Sequence, residues 1–264
     1  MSRTTVLDQP AVLRVMFYPR RSWPGIALVS NAHDGRVEVE PGVSVGYSLH
    51  LAGPPGSPLI LYFHGNGEIA RDYDSIAPLY TELGISLLVA DYRGYGWSGG
   101  FPTASSLIRD APLVFEALEH MLKEAVSEVP QRVFVMGRSL GSAAAIEVAR
   151  HHQEAIAGLI IESGFAHTLR LLARLGVVLE NLGEEQDVFA NLTKIGQVSL
   201  PILVIHGQAD MLIPASEGVA LYEGSAAPDD EKRLVLIPGA GHNDLLAVGA
   251  AIYFEAIRDF VLGR

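Results

Sequence analysis

Gly137-Arg138-Ser139-Leu140-Gly141 is the stretch from which the fold is read. Before it, Arg132-Val133-Phe134-Val135-Met136 is an apolar run of strand length; after it, Ser142-Ala143-Ala144-Ala145-Ile146-Glu147-Val148-Ala149 opens a helix on small residues. Strand, tight turn and helix therefore meet at one serine. In a G-x-S-x-G turn so placed, glycines flank a serine whose backbone is forced into a strained conformation, and its hydroxyl stands clear at the sheet's edge. A glycine-rich turn with a capping serine would look similar. The rest of the chain separates the two readings, according to whether it supplies partners for the hydroxyl.

Working outward, Leu59-Ile60-Leu61-Tyr62-Phe63, residues 85–90, 133–136, 159–161, 202–205 and 234–237 are short, nearly continuous apolar runs. Such runs are strands buried on both faces. Helical spacing occupies the intervals at about 68–83, 104–126, 140–152, 215–223 and 243–262. Alternating strands and helices predict an α/β fold, a mostly parallel central sheet covered by helices on both faces. Upstream, Arg36–Glu40 and Val43–Leu51 alternate with period two around Pro41-Gly42, predicting an antiparallel pair. Residues 1–35, with Pro10, Pro19 and Pro24 and closing on the turn signal His33-Asp34-Gly35, are expected to be an irregular lead-in. Between 163 and 200 the alternation lapses; Leu169, Leu171, Leu172, Leu175, Val177, Val178, Leu179 and Leu182 form an apolar helical segment broken by Gly176. Because it follows a strand whose carboxyl end borders the expected pocket, we read it as a short lid, against a plain crossover helix with an added loop.

The 264 residues suit one domain, 1–264, with a sizeable core. An apolar fraction of 49% and a charged fraction of 19% exclude a disordered or fibrous chain. With 19 basic against 30 acidic residues, the net charge of −11 argues against nucleic acid or an anionic membrane as partner. No cysteine is present, so thiolate metal sites and thiol nucleophiles are excluded, and a reducing, cytoplasmic compartment is expected. No stretch has the length of a membrane span, and the first twenty residues lack a signal-peptide pattern, so no stable membrane insertion is expected.

Ligands of parallel sheets bind at the carboxyl ends of the strands. His64, Asp91, Ser139, Glu162, Asp210 and His242 each follow one of the apolar runs. A serine hydroxyl is a weak nucleophile at neutral pH and needs a base; imidazole, with an unperturbed pKa of about 6.5, can accept the proton and return it. Of nine histidines, His242 in Pro238-Gly239-Ala240-Gly241-His242-Asn243-Asp244 is the one whose glycine-rich loop can carry a ring over the sheet edge. His64 and His206, each followed by glycine, are read as shaping their loops. Asp210 is the carboxylate expected behind His242, with Glu162 and Asp91 in reserve and a turn-capping role as its bland alternative. The N–H of Leu140 and the N–H of Asn66, in Phe63-His64-Gly65-Asn66-Gly67-Glu68, are expected to form an oxyanion hole, with Gly65 and Gly67 letting the backbone approach the ligand. Tyr95 and Trp97 either line a pocket or pack their loop down.

The set HGNGE at 64–68, DYRGYGWSGG at 91–100, GRSLG at 137–141, HGQAD at 206–210 and GAGHND at 239–244 closely resembles the serine α/β-hydrolase superfamily, nearest its short-lidded BEM46-like, or ABHD17- and ABHD13-like, group. The resemblance runs from about residue 17, at Phe17-Tyr18-Pro19, to 262. It implies the α/β-hydrolase fold with a sheet of about eight strands whose first are antiparallel. It also implies a catalytic triad of Ser139, Asp210 and His242, and cleavage of small-molecule carboxylic esters or thioesters through an acyl-enzyme, with no cofactor or metal. Some relatives remove acyl groups from proteins and are anchored to membranes by a cysteine-rich N-terminus; with no cysteine in this sequence, membrane-bound deacylation is not expected. Relatives that open haloalkanes or epoxides carry aspartate where this chain has Ser139. The rival readings are an amidase or aminopeptidase on the same triad, with Glu68 or Glu162 meeting a free amine, and a weakly catalytic ligand-binding protein of the same fold.

Overall fold

The computed structural model describes residues 5–25, 32–123, 125, 130–179 and 186–263. Its sheet contains β1 (Ala32–Glu40), β2 (Val43–His50), β3 (Leu59–Phe63), β4 (Ser86–Ala90), β5 (Val133–Arg138), β6 (Gly158–Glu162), β7 (Ile202–Gly207) and β8 (Lys232–Ile237). The order is β1-β2-β4-β3-β5-β6-β7-β8. β1 and β2 run antiparallel and β2 is antiparallel to β4; from β4 through β8 every pairing is parallel.

The apolar runs are continuous because alternate residues serve two cores. Leu59, Leu61 and Phe63, with Val135, Leu159, Ile161, Ile202 and Val204, face one side, against α3 (Ala104–Glu116) and α5 (Gly141–His151). Ile60, Tyr62, Phe134, Met136, Ile160, Leu203 and Ile205 face the other, under α2 (Ala77–Thr81) and α9 (Leu245–Leu262). From α9 that core receives Tyr253, Ile257 and Val261, one stripe of a 3.6-residue period. Burial of each such side chain is worth roughly 1.5–3 kcal/mol.

Several segments depart from what their local composition predicts. The lead-in is not wholly irregular: Pro10–Met16 form α1, with Pro10 in its first turn, where its missing N–H costs nothing. His33-Asp34-Gly35 is not a turn but part of β1, paired with Leu49, Ser48 and Tyr47 of β2. Gly35 serves there as space, since a Cβ would come within 2.3 Å of the Tyr47 ring. The helical interval 68–83 is a 3-10 turn at Ala70–Ser75 followed by the short α2, with Pro78 in the first turn of that helix. The interval 104–126 divides into α3 and α4 (Leu118–Lys123), and its residues 124 and 126 lie outside those described. β8 is an edge strand with its outer residues partly exposed, not a strand buried on both faces.

The interval 163–200 contains α6 (Thr168–Arg174) and α7 (Asn191–Ile195); Leu182, counted in its apolar pattern, lies outside the described residues. Leu171 and Leu172 of α6 enter the first core beside Phe165 and Phe189, while Leu169 and Val178 are exposed. A further helix, α8 (Ala215–Gly224), carries Glu217, whose carboxylate accepts the N–H groups of Ala166 and His167 and so ties the start of α6 to the body.

Candidate active site

Sheet register brings the site together. Phe63 lies opposite Ala90 and Gly137, and Arg138 lies opposite Glu162, so the loops that follow β3, β4, β5 and β6 emerge along one edge. At that edge Ser139 has φ 51°, the left-handed region, although it is not glycine. Its N–H donates to the carbonyl of Glu162 at 2.8 Å, which fixes the turn against β6. Such a conformation costs on the order of 1–3 kcal/mol and persists only where its surroundings over-determine it.

The flanking glycines have steric jobs. A Cβ on Gly137 would lie 2.2 Å from the Gly141 carbonyl oxygen, and one on Gly141 would lie 2.0 Å from that of Phe63. α5 thus starts directly against the end of β3. Gly141→Ala is expected to lower unfolding free energy by about 3 kcal/mol or more, since two backbone segments must part. A urea melt with an unchanged midpoint would show that β3 and α5 can separate freely.

The Oγ of Ser139 is 3.0 Å from Nε2 of His242, whose Nδ1 is 2.7 Å from Oδ2 of Asp210. The other oxygen of Asp210 accepts the N–H groups of Leu212 at 2.9 Å and Ile213 at 2.8 Å. Burial works to raise the Asp210 carboxyl pKa, but hydrogen bonds from His206 and His242, the His242 charge and the Ile213 N–H outweigh it and hold the carboxyl well below the usual range. The reserves are engaged elsewhere. Glu162 takes Arg138, Tyr62 and Tyr253, and Asp91 takes His64 and the Ala70 N–H.

The 64–68 loop is clamped from several sides. Nδ1 of His64 sits 2.8 Å from the Gly65 carbonyl, Tyr92 donates to the His64 carbonyl, and Glu68 accepts the Gly65 N–H at 2.7 Å. Asn66 uses its side-chain oxygen to accept the Tyr18 N–H and the Tyr95 hydroxyl, each at 2.8 Å. Among the described residues, neither the Asn66 N–H nor the Leu140 N–H donates to an acceptor. Gly67 has φ 78°, whereas the missing Cβ of Gly65 makes room for Arg138, 2.6 Å away, rather than for a ligand. Tyr95 and Trp97 are buried and pack their loop down. His206 shapes its loop through the Ile213 carbonyl at 2.8 Å. Sequence reasoning missed Tyr18 and Arg138, for neither sits in a motif position whose chemistry announces it. A cavity of about 350 Å³ opens beside His242, walled by Glu68, Arg138, Glu162 and Asn243. Among the described residues no group of acidic and histidine side chains could hold a metal ion, and no helix is long and apolar enough to cross a membrane.

An uncharacterized protein of Mycobacterium tuberculosis (strain ATCC 25618 / H37Rv) is 33% identical over 233 residues, 85% of this chain and 77% of its own length. Human α/β-hydrolase domain-containing protein 17B is 30% identical over 208 residues, 76% of this chain and 65% of its own. The family model described as serine aminopeptidase, S33 matches residues 55–182.

The chain belongs to the serine α/β-hydrolase superfamily.

Within the superfamily it falls in the group of the domain-containing 17 proteins. The fold of this α/β-hydrolase is that of the Pyrococcus furiosus esterase Pf2001, with a TM-score of 0.73 at 21% identity over 94% of this chain and 98% of the other. Est1E from Butyrivibrio proteoclasticus, solved with ferulic acid, gives 0.68 at 20% identity over 87% and 98%. The segment matched by the family model contains the 64–68 loop and the serine turn but stops short of Asp210 and His242. Folding alone brings those two to Ser139 in this α/β-hydrolase.

Proposed function

We propose that this α/β-hydrolase cleaves carboxylic ester or thioester bonds through an acyl-enzyme on Ser139. The observation that carries the reading is the unbroken path from Asp210 through both ring nitrogens of His242 to the strained Ser139 hydroxyl. As Oγ attacks the carbonyl carbon, Nε2 of His242 takes its proton, while Asp210 remains ionised and stabilises the imidazolium. The carbonyl oxygen becomes an oxyanion received by the N–H groups of Leu140 and Asn66, an interaction whose loss typically costs about 2.7–4 kcal/mol per donor. The intermediate collapses, and His242 returns the proton to the departing alcohol or thiol. Water then attacks the acyl-enzyme, giving its proton to His242. Collapse of this second intermediate releases the acid and restores the Ser139 hydroxyl. Small-molecule acyl substrates fit this reading, and among the described residues of the 163–200 interval the exposed Leu169 and Val178 are the apolar lid residues available to meet an acyl group of small to medium size.

The family description favours a second reading, an aminopeptidase. It needs a free carboxylate for the substrate's amine. Glu68 and Glu162 are both already paired with Arg138, which favours the ester reading. A series of p-nitrophenyl esters and acyl thioesters run against aminoacyl anilides decides between them. Ester or thioester turnover should exceed that of the anilides by about 100-fold or more, the equivalent of some 2.7 kcal/mol in the barrier. Faster cleavage of the anilides would overturn the proposal, and a bound ester recovered intact after long incubation would point to a binding protein.

A further inference from the structure

We propose that Arg138 is a positioning residue that sets the oxyanion loop and the His242 loop in register around Ser139. The proposal rests on the Ser139 reading above. Arg138 directly precedes the serine, so its place is fixed by the same strained turn. Its side chain is only 11% exposed and reaches three other segments. Nε donates to Glu162 at the end of β6 at 3.0 Å. One terminal nitrogen is paired with Glu68, whose second oxygen accepts the Gly65 N–H of the oxyanion loop and the Tyr73 hydroxyl. The other donates to the backbone carbonyl of His242 and to Oδ1 of Asn243, both at 2.9 Å.

A guanidinium suits this task because its planar fork offers five donors in fixed directions, whereas an ammonium offers a point charge on a flexible stem. Burial opposes the charge, but Glu162 and Glu68 more than offset it and raise the pKa of the guanidinium. The alternate hydroxyl donors of Tyr62 and Tyr253 saturate the far oxygen of Glu162, so that anchor cannot swing toward another partner. Gly65 completes the fit, since any Cβ there would strike the terminal nitrogen of Arg138. One side chain therefore links the loop presenting the Asn66 N–H to the loop presenting the imidazole. Neither segment is joined to the other by a strand pairing.

The test uses the full chain with Arg138→Lys and Glu68→Gln, a p-nitrophenyl ester, and a fluorophosphonate that reacts at Ser139. Arg138→Lys keeps a cation between the carboxylates but cannot serve all of the acceptors. Its kcat should fall by about 100-fold, the effect of misplacing reacting groups by roughly 1 Å, with KM nearly unchanged and the labelling rate falling in parallel. Glu68→Gln should lower kcat by about 10-fold in the same pattern, and it decides the matter should Arg138→Lys fail to fold. A folded Arg138→Lys with unchanged kcat, or with its loss confined to KM, overturns the proposal. So does a fall in kcat with no fall in labelling rate. Ser139→Ala, assayed in parallel, separates the two readings: if it stays active, the assignment of the site itself is wrong. If it is inactive while Arg138→Lys is fully active, only the role of Arg138 is lost.

Discussion

Ser139→Ala is expected to lower turnover by roughly 10⁵- to 10⁶-fold and to abolish fluorophosphonate labelling, because the partners left behind cannot supply a nucleophile. The loss should come without a loss of fold. The serine's backbone sits at φ 51°, a conformation imposed by the approach of β3, β5 and α5, and alanine inherits the same strain. Glycine does not. Ser139→Gly, equally inactive, should therefore melt above Ser139→Ala by about 2–4 °C for each kcal/mol of strain relieved. An alanine variant with more than about 1% of wild-type activity would remove Ser139 from the chemistry, since a lost nucleophile leaves far less than that. Equal melting temperatures for the two variants would remove the strain argument.

Asp210→Asn should cost about 10⁴-fold in kcat, the size found when the third member of such a triad becomes an amide. The surroundings explain why. Oδ1 of Asp210 is committed to the N–H groups of Leu212 and Ile213, so an asparagine keeps its oxygen there and turns its NH₂ toward His242. Nδ1 would then have to accept, leaving Nε2 protonated against Ser139 and unable to take its proton. A kcat within tenfold of wild type would place the orienting carboxylate elsewhere. Stability carries a second signature. The Asp210 carboxyl is held below its unfolded value of about 3.9, so its stabilisation is complete above that pH and is lost as pH falls through the folded value. Wild type should accordingly lose melting temperature below about pH 4 more steeply than Asp210→Asn does. Parallel melts from neutral to strongly acid pH read the difference directly.

Much of the architecture was legible because hydrophobic patterning is local. The runs from Leu59 to Phe63 and from Ile202 to Ile205 declare themselves as buried strands by their own composition, and the loops after them follow from chain direction. The misreadings share a cause. His33-Asp34-Gly35 carries the composition of a turn, yet pairs with β2 because the Tyr47 ring needs the space that Gly35 leaves. Gly65 has the composition expected where a backbone approaches a ligand, but the neighbour that needs its missing side chain is Arg138, 73 positions later in the chain. Composition cannot tell which neighbour occupies an empty space.

The order of strands and helices, the placing of Ser139 between β5 and α5, and the candidate roles of Asp210 and His242 were determined by the sequence itself, through periodicity, small residues and strand ends. Only the tertiary structure decided that Asp210, and not Glu162 or Asp91, stands behind His242, and that Arg138 ties three segments at the serine. The physical reason is range. Burial of apolar side chains leaves a repeating trace along the chain, whereas a hydrogen bond or ion pair between residues 24 to 105 positions apart leaves none until sheet register brings its partners within reach.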